Sequence, residues 1–74
     1  MTIVEAVSKN PQIMSGELCF TGTRVPVRNL FGYIQSGDKL QDFLADFPGV
    51  SIEQVTVVLA TSLEQIQTQI PLSA

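Results

Sequence analysis

The sequence predicts a mainly α fold, with a short β-rich N-terminal arm or hairpin followed by three helices. Two observations carry this. From Val27 onward apolar residues recur at the helical spacing i, i+3, i+4, i+7. Before Pro26 they fall instead in short runs bounded by turn residues. Glycine and proline then mark where each helix ends: Gly37, Pro48-Gly49 and Pro71.

Taken in order, residues 2 to 7, "TIVEAV", are β-rich and predict a short strand. "SKNPQIMSGE" carries turn signals at Asn10-Pro11 and Ser15-Gly16, with room for a short strand at Ile13 and Met14. "LCF" and "TRV" flank Thr21-Gly22 and predict a hairpin about that glycine. Pro26 suits the first turn of a helix and holds Val25 extended. Val27, Leu30, Phe31 and Ile34 form one helical face, so the first helix is expected from about Pro26 or Val27 to Ser36, with Gly37 as its left-handed stop. Asp38 is the expected N-cap of a second helix built on Leu40, Phe43, Leu44 and Phe47. Ser51 caps the third, and Gln54 completes a capping box. Ile52, Val55, Leu59, Leu63, Ile66 and Ile70 give this helix a long apolar stripe, outweighing the β-branched run "VTVV". The tight turn "FPGVS" resembles the joint of a helix-turn-helix. The whole chain reads as one domain, residues 1–74, with an arm over 1–25 and a helical bundle over 26–70.

Composition narrows the class. The chain has 74 residues, 45% of them hydrophobic and only 15% charged, the opposite of a disordered protein. That length is near the lower limit for a self-sufficient core, and small domains usually add disulfides, a metal or a partner. Cys19 is the single cysteine and there is no histidine, so a homodimer or a hetero-complex is the expectation, with no cofactor. The start lacks the basic and apolar regions of a signal peptide, and no apolar run reaches membrane-spanning length. A single reduced cysteine fits the cytoplasm. Charge divides unevenly: residues 1–39 hold four bases against three acids, net +1, while residues 40–74 hold four acids and no base, net −4. Nucleic-acid binders usually present a basic patch, and the second half of this chain repels phosphate.

One longer motif is specific. "NPQIMSGELCFTGTRVPV" resembles the opening of the bacterial and archaeal family known as domain of unknown function 433, which runs Pro-x-Ile-x-x-Gly-x-Pro, an apolar residue, then Gly-Thr-Arg-Ile/Val-Pro-Val. Pro11, Ile13, Gly16 and Gly22 to Val27 fit it; Leu18 stands where the family has its second proline. Gly37 and "FPGVSIEQV" resemble later family segments, so the likeness spans residues 9 to about 60. The resemblance implies a homeodomain-like helix-turn-helix behind a short β element that often helps form dimers. It also implies an antitoxin for a small PIN-like ribonuclease toxin, and repression of its own operon is a further expectation.

Among individual residues, Arg24 is the sharpest candidate for contact with a phosphate or a partner. Its structural alternative is a bridge to helix-end carbonyls or to Asp42 or Asp46. Arg28 and Lys39 join it as candidate nucleic-acid or partner contacts, with Lys9 from the arm, and Gln54 is the candidate at the start of the third helix. That helix has no lysine or arginine. Leu63, Ile66 and Ile70 are expected to dock on a partner. Cys19 reads as a small buried hydrophobe, and Asp42 and Asp46, four apart, as a solvated face. Catalysis lacks a triad, a phosphate-cradling glycine loop and a metal cluster. Three functions follow: an antitoxin-like protein that neutralises a toxin, a dimeric DNA-binding regulator, or a structural adaptor without nucleic acid.

Overall fold

The structure, a computed structural model, describes residues 1–73. These residues form a mixed fold: a two-stranded antiparallel hairpin and four α-helices, with one 3₁₀ turn between the strands. The chain opens on a single helical turn, α1 (Ile3–Ala6), where the sequence predicted a strand. The reason is a capping box at the very start. The Glu5 carboxylate accepts from the Thr2 amide at 2.8 Å, and the Thr2 hydroxyl oxygen accepts from the Glu5 amide. The bond from the Thr2 amide, and after it one donated by the Thr2 hydroxyl at 3.0 Å, holds the Glu5 carboxyl below its usual pKa.

Strand β1 (Val7–Lys9) follows directly and pairs with β2 (Leu18–Phe20) in the register Val7 to Phe20, Ser8 to Cys19 and Lys9 to Leu18. The expected strand at Ile13 and Met14 is instead a loop and a 3₁₀ turn (Met14–Gly16), opened by the Asn10 side chain accepting from the Gln12 amide. The hairpin expected about Gly22 is also reduced. Phe20 to Thr23 close a tight turn with Gly22 at φ +83°, a conformation glycine adopts without strain. The strand does come back, but only as far as a single bridge between Cys19 and Pro26. Proline has no amide to extend the ladder, and the helix begins at once.

Helix α2 (Val27–Gln35) starts behind Pro26 as the spacing predicts. It ends in a Schellman motif: the Gly37 amide donates to the Ile34 carbonyl and the Asp38 amide to that of Tyr33. Helix α3 (Leu40–Asp46) has Lys39, not Asp38, at its N-cap, and the Asp42 carboxylate accepts from the Lys39 amide at 3.3 Å. Helix α4 (Ile52–Gln69) begins at the predicted Ser51 capping box.

The core gathers Phe20, Val27, Leu30, Phe43, Val50, Val55 and Val58. An aromatic group joins α2 to α3: Tyr33 meets Phe43 edge-on at 5.3 Å, and Phe43 lies 5.1 Å from Phe47. The Tyr33 hydroxyl caps this contact by donating to Asp46 at 2.6 Å. Cys19 is buried, as the sequence suggested. Only the first part of α4 reaches the core. Of the predicted stripe Val55 alone is buried, with Gln54 and Val58 beside it.

Candidate functional site

An apolar groove of about 460 Å³ runs along the inner side of α4. The N-terminal segment supplies Ile3, Val7 and Leu18, and α2 supplies Val27 and Phe31. On α4, Val58 and Ile66 complete the apolar lining, with Thr61, Ser62 and Gln65 between them. The groove exists because α4 outruns its support. Its first turns pack on α1, while its last turns extend past the bundle. Beyond Val58 this inner face bears threonine, serine and glutamine, which leave the apolar wall opposite them open.

The residues singled out from sequence separate into distinct settings. Gln54 was expected at a contact surface, and the structure places it in the interior, only 7% exposed. Its side-chain amide donates to the carbonyls of Ala6 at 3.1 Å and Thr21 at 3.0 Å, and its Oε1 accepts from the Ser51 amide. Every hydrogen-bonding position of that side chain which faces the chain is occupied, so it has nothing to offer a base edge. The capping box was visible in the sequence; the second half of the role was not, because Ala6 and Thr21 are 48 and 33 residues away.

Arg24 is exposed beside the Gly22 turn, in a shallow hollow with Ser8, Asn10 and Ile13. Among the described residues it makes no ion pair, so the expected bridge to Asp42 or Asp46 is not formed. Thr23 does the joining instead: its hydroxyl donates to the Phe20 carbonyl at 2.7 Å and accepts from the Val25 amide. Arg28 is exposed on α2 and paired with Glu17 at 2.6 Å. It borders a different hollow, with Asp38. Lys39 is exposed at the start of α3. The bases therefore do not line one common hollow. Asp42 and Asp46 are both exposed, and each has a hydrogen-bond partner, the Lys39 amide for Asp42 and the Tyr33 hydroxyl for Asp46.

Of the three expected docking residues, Leu63 and Ile66 lie on the exposed part of α4 and Ile70 is the residue that caps its C-terminal end. Ile66 borders the groove, and Leu63 and Ile70 stand with it at 56%, 59% and 67% exposure for Leu63, Ile66 and Ile70.

With that geometry fixed, comparison with known proteins gives one result. The model of a protein family of unknown function, DUF433, matches residues 7–60. The chain belongs to the DUF433 family. The matched span begins with β1 and ends inside α4, so the DUF433 unit includes the hairpin, the Gly22 turn, α2, α3 and the supported part of α4. The exposed end of α4, with Leu63, Ile66 and Ile70, lies outside it. No curated protein and no solved structure matches the chain. No helix among the described residues is long and apolar enough to cross a membrane.

Proposed function

We propose that this DUF433 protein is a non-catalytic, antitoxin-like module that binds another protein through its apolar groove. The observation that carries the reading is the groove itself: about 460 Å³, walled by Ile3, Leu18, Phe31 and Ile66, on a chain of only 74 residues. Apolar surface of this kind, rimmed by polar residues, marks binding sites in small proteins. The partner best suited to it inserts an apolar segment and carries a basic surface, because residues 40–74 hold four acids and no base. A PIN-like ribonuclease toxin would supply the basic surface, since a surface that binds RNA is basic. Neutralisation then means covering that surface with this acidic chain.

The succession α3, a tight turn over residues 47–51, and α4 has the order of a helix-turn-helix, and autoregulation of an operon would place α4 in the major groove. Its side chains argue for a minor role of DNA. Helix α4 has no basic residue, Gln54 is buried, and Arg28 is already paired. We therefore assign DNA contact, where it occurs, to the complex with the partner rather than to this chain alone.

The test is a tagged pull-down from the source cells with gentle elution. The expected result is one small nuclease in stoichiometric amount, whose RNA cleavage is suppressed in the complex. Leu18→Lys, which puts a charge on the groove wall at a 38% exposed position, is expected to release the nuclease. Recovery of the bait alone would overturn the proposal.

A further inference from the structure

The apolar stripe of α4 is shared between two faces. Val55 and Val58 turn into the chain's own core together with Gln54. Ile52, Leu59, Leu63, Ile66 and Ile70 remain between 37% and 67% exposed. Thr56 fills the one gap in that exposed set, and the positions then alternate in steps of four and three from Ile52 at the start of the helix to Ile70 at its C-cap. This is the a/d pattern of a heptad repeat, with a period of about 3.5 residues. Such a seam is kept in register by a second helix running alongside, and the core of this chain uses the other face.

We infer that α4 is a dimerisation helix, packing antiparallel against α4 of a second copy about a two-fold axis close to Thr61. In that register Ile52 meets Ile70 of the second copy, Thr56 meets Ile66, and Leu59 meets Leu63. The contact is isologous, so one seam satisfies both chains.

Three observations select a second copy as the occupant. The positions flanking the seam are Val55, Ala60, Ser62, Gln67 and Gln69, with Glu53 the one charge. A protein with net charge −3 repels its own copies elsewhere, and this strip is where its acids are missing. A basic partner would find almost nothing there to pair with. The five exposed side chains alone present on the order of 500 Å² per copy, so a pair buries about 1,000 Å², the lower bound for a specific interface. The core, finally, is small, with four large side chains fully buried among the described residues and no disulfide to assist it. Of the six seam positions Ile66 alone also lines the groove, and Ser62 and Gln69 flank the seam at the groove's edge, so the dimer does not use the opposite wall of Ile3, Leu18 and Phe31.

Sedimentation equilibrium of the full chain from micromolar to millimolar concentration tests this. The mass is expected to rise to that of two copies. Leu63→Asp, at an exposed position, should weaken self-association by roughly tenfold to a hundredfold while helical circular dichroism is unchanged. The double variant L59E/L63K should recover the dimer, because the antiparallel register sets each new acid against a new base; a parallel pair would set like charges together. A wild-type monomer throughout, a dimer indifferent to Leu63→Asp, or a double variant that stays monomeric would each overturn the inference. Leu18→Lys should dimerise normally, so failure of the seam and failure of the groove are read separately.

Discussion

At the residue scale, Gln54 and Tyr33 hold the chain together through single hydrogen-bonding groups. Gln54 joins three places: the end of α1 through the Ala6 carbonyl, the Gly22 turn through the Thr21 carbonyl, and the cap of α4 through Ser51. The Ala6 carbonyl has a second donor in the Thr21 amide, so it is not orphaned when Gln54 is removed. Gln54→Leu should therefore cost about 2–4 kcal/mol, from one lost buried donor pair and a weakened cap. A domain of this size holds only about 4–11 kcal/mol in total, so urea denaturation should show a large fall in midpoint. Gln54→Glu should be worse at neutral pH, where a carboxylate faces two carbonyl oxygens, and should partly recover on acidification. A surface contact residue would tolerate both changes. Tyr33 has a raised pKa, chiefly because its hydroxyl donates to Asp46, with burial and the nearby acids adding to it. A raised value means that the folded state holds the proton more tightly. The contribution is complete below the ordinary phenol value of about 10 and is lost as pH rises through the folded one. Thermal unfolding of Tyr33→Phe should thus fall less steeply than wild type on the alkaline side, and the two profiles should run parallel at neutral pH.

At the element scale, helices with both a period and punctuation were readable from sequence, and the arm was not. Helix α2 is flanked by Pro26 and Gly37, and α4 is opened by Ser51 and Gln54, so local chemistry sets their ends. Gly37, at φ +82°, is the clearest such signal. Gly37→Ala should destabilise by about 1–2 kcal/mol because a Cβ is strained in that conformation. Gly32→Ala, inside α2 with open space around it, should stabilise by about 0.5–1 kcal/mol, so paired denaturation curves should move in opposite directions. The arm failed for a different reason. Its first strand gave way to a capping box, Thr2 with Glu5, that belongs to a helix of only four residues. The true partner of "LCF" was Val7 to Lys9, and strand pairing depends on residues apart in sequence. The stripe of α4 was seen but given one purpose. Burial alone distinguishes Val55, which packs inward, from Leu63 and Ile66, which do not. Of the candidate contacts, Arg24, Arg28 and Lys39 lie at the surface, whereas the position of Gln54 turned on two carbonyls in other elements.

At the scale of the whole molecule, charge decides how far this chain can act on nucleic acid by itself. Its four bases all lie in residues 1–39, and Arg28 is paired with Glu17. That leaves Lys9, Arg24 and Lys39 without an ion pair among the described residues, on β1, the turn after β2 and the start of α3. The other half of the chain adds four acids, which repel phosphate. Each phosphate neutralised contributes about −0.9 to the slope of log K against log salt, so three bases allow no more than about −3 per chain. Fluorescence anisotropy with duplex DNA should show no saturable binding at physiological salt. At low salt any binding should have that shallow slope and no preference for sequence. Arg24→Ala should reduce the slope by about 1, and Arg28→Ala by less, because its guanidinium already has a carboxylate. The same titration with the co-purified partner complex should be steeper, since the partner brings the basic surface that this chain lacks. Tight, sequence-selective binding by the isolated chain would reverse the order of the two readings. The antitoxin-like assignment would then give way to a regulator whose dimer reads DNA alone.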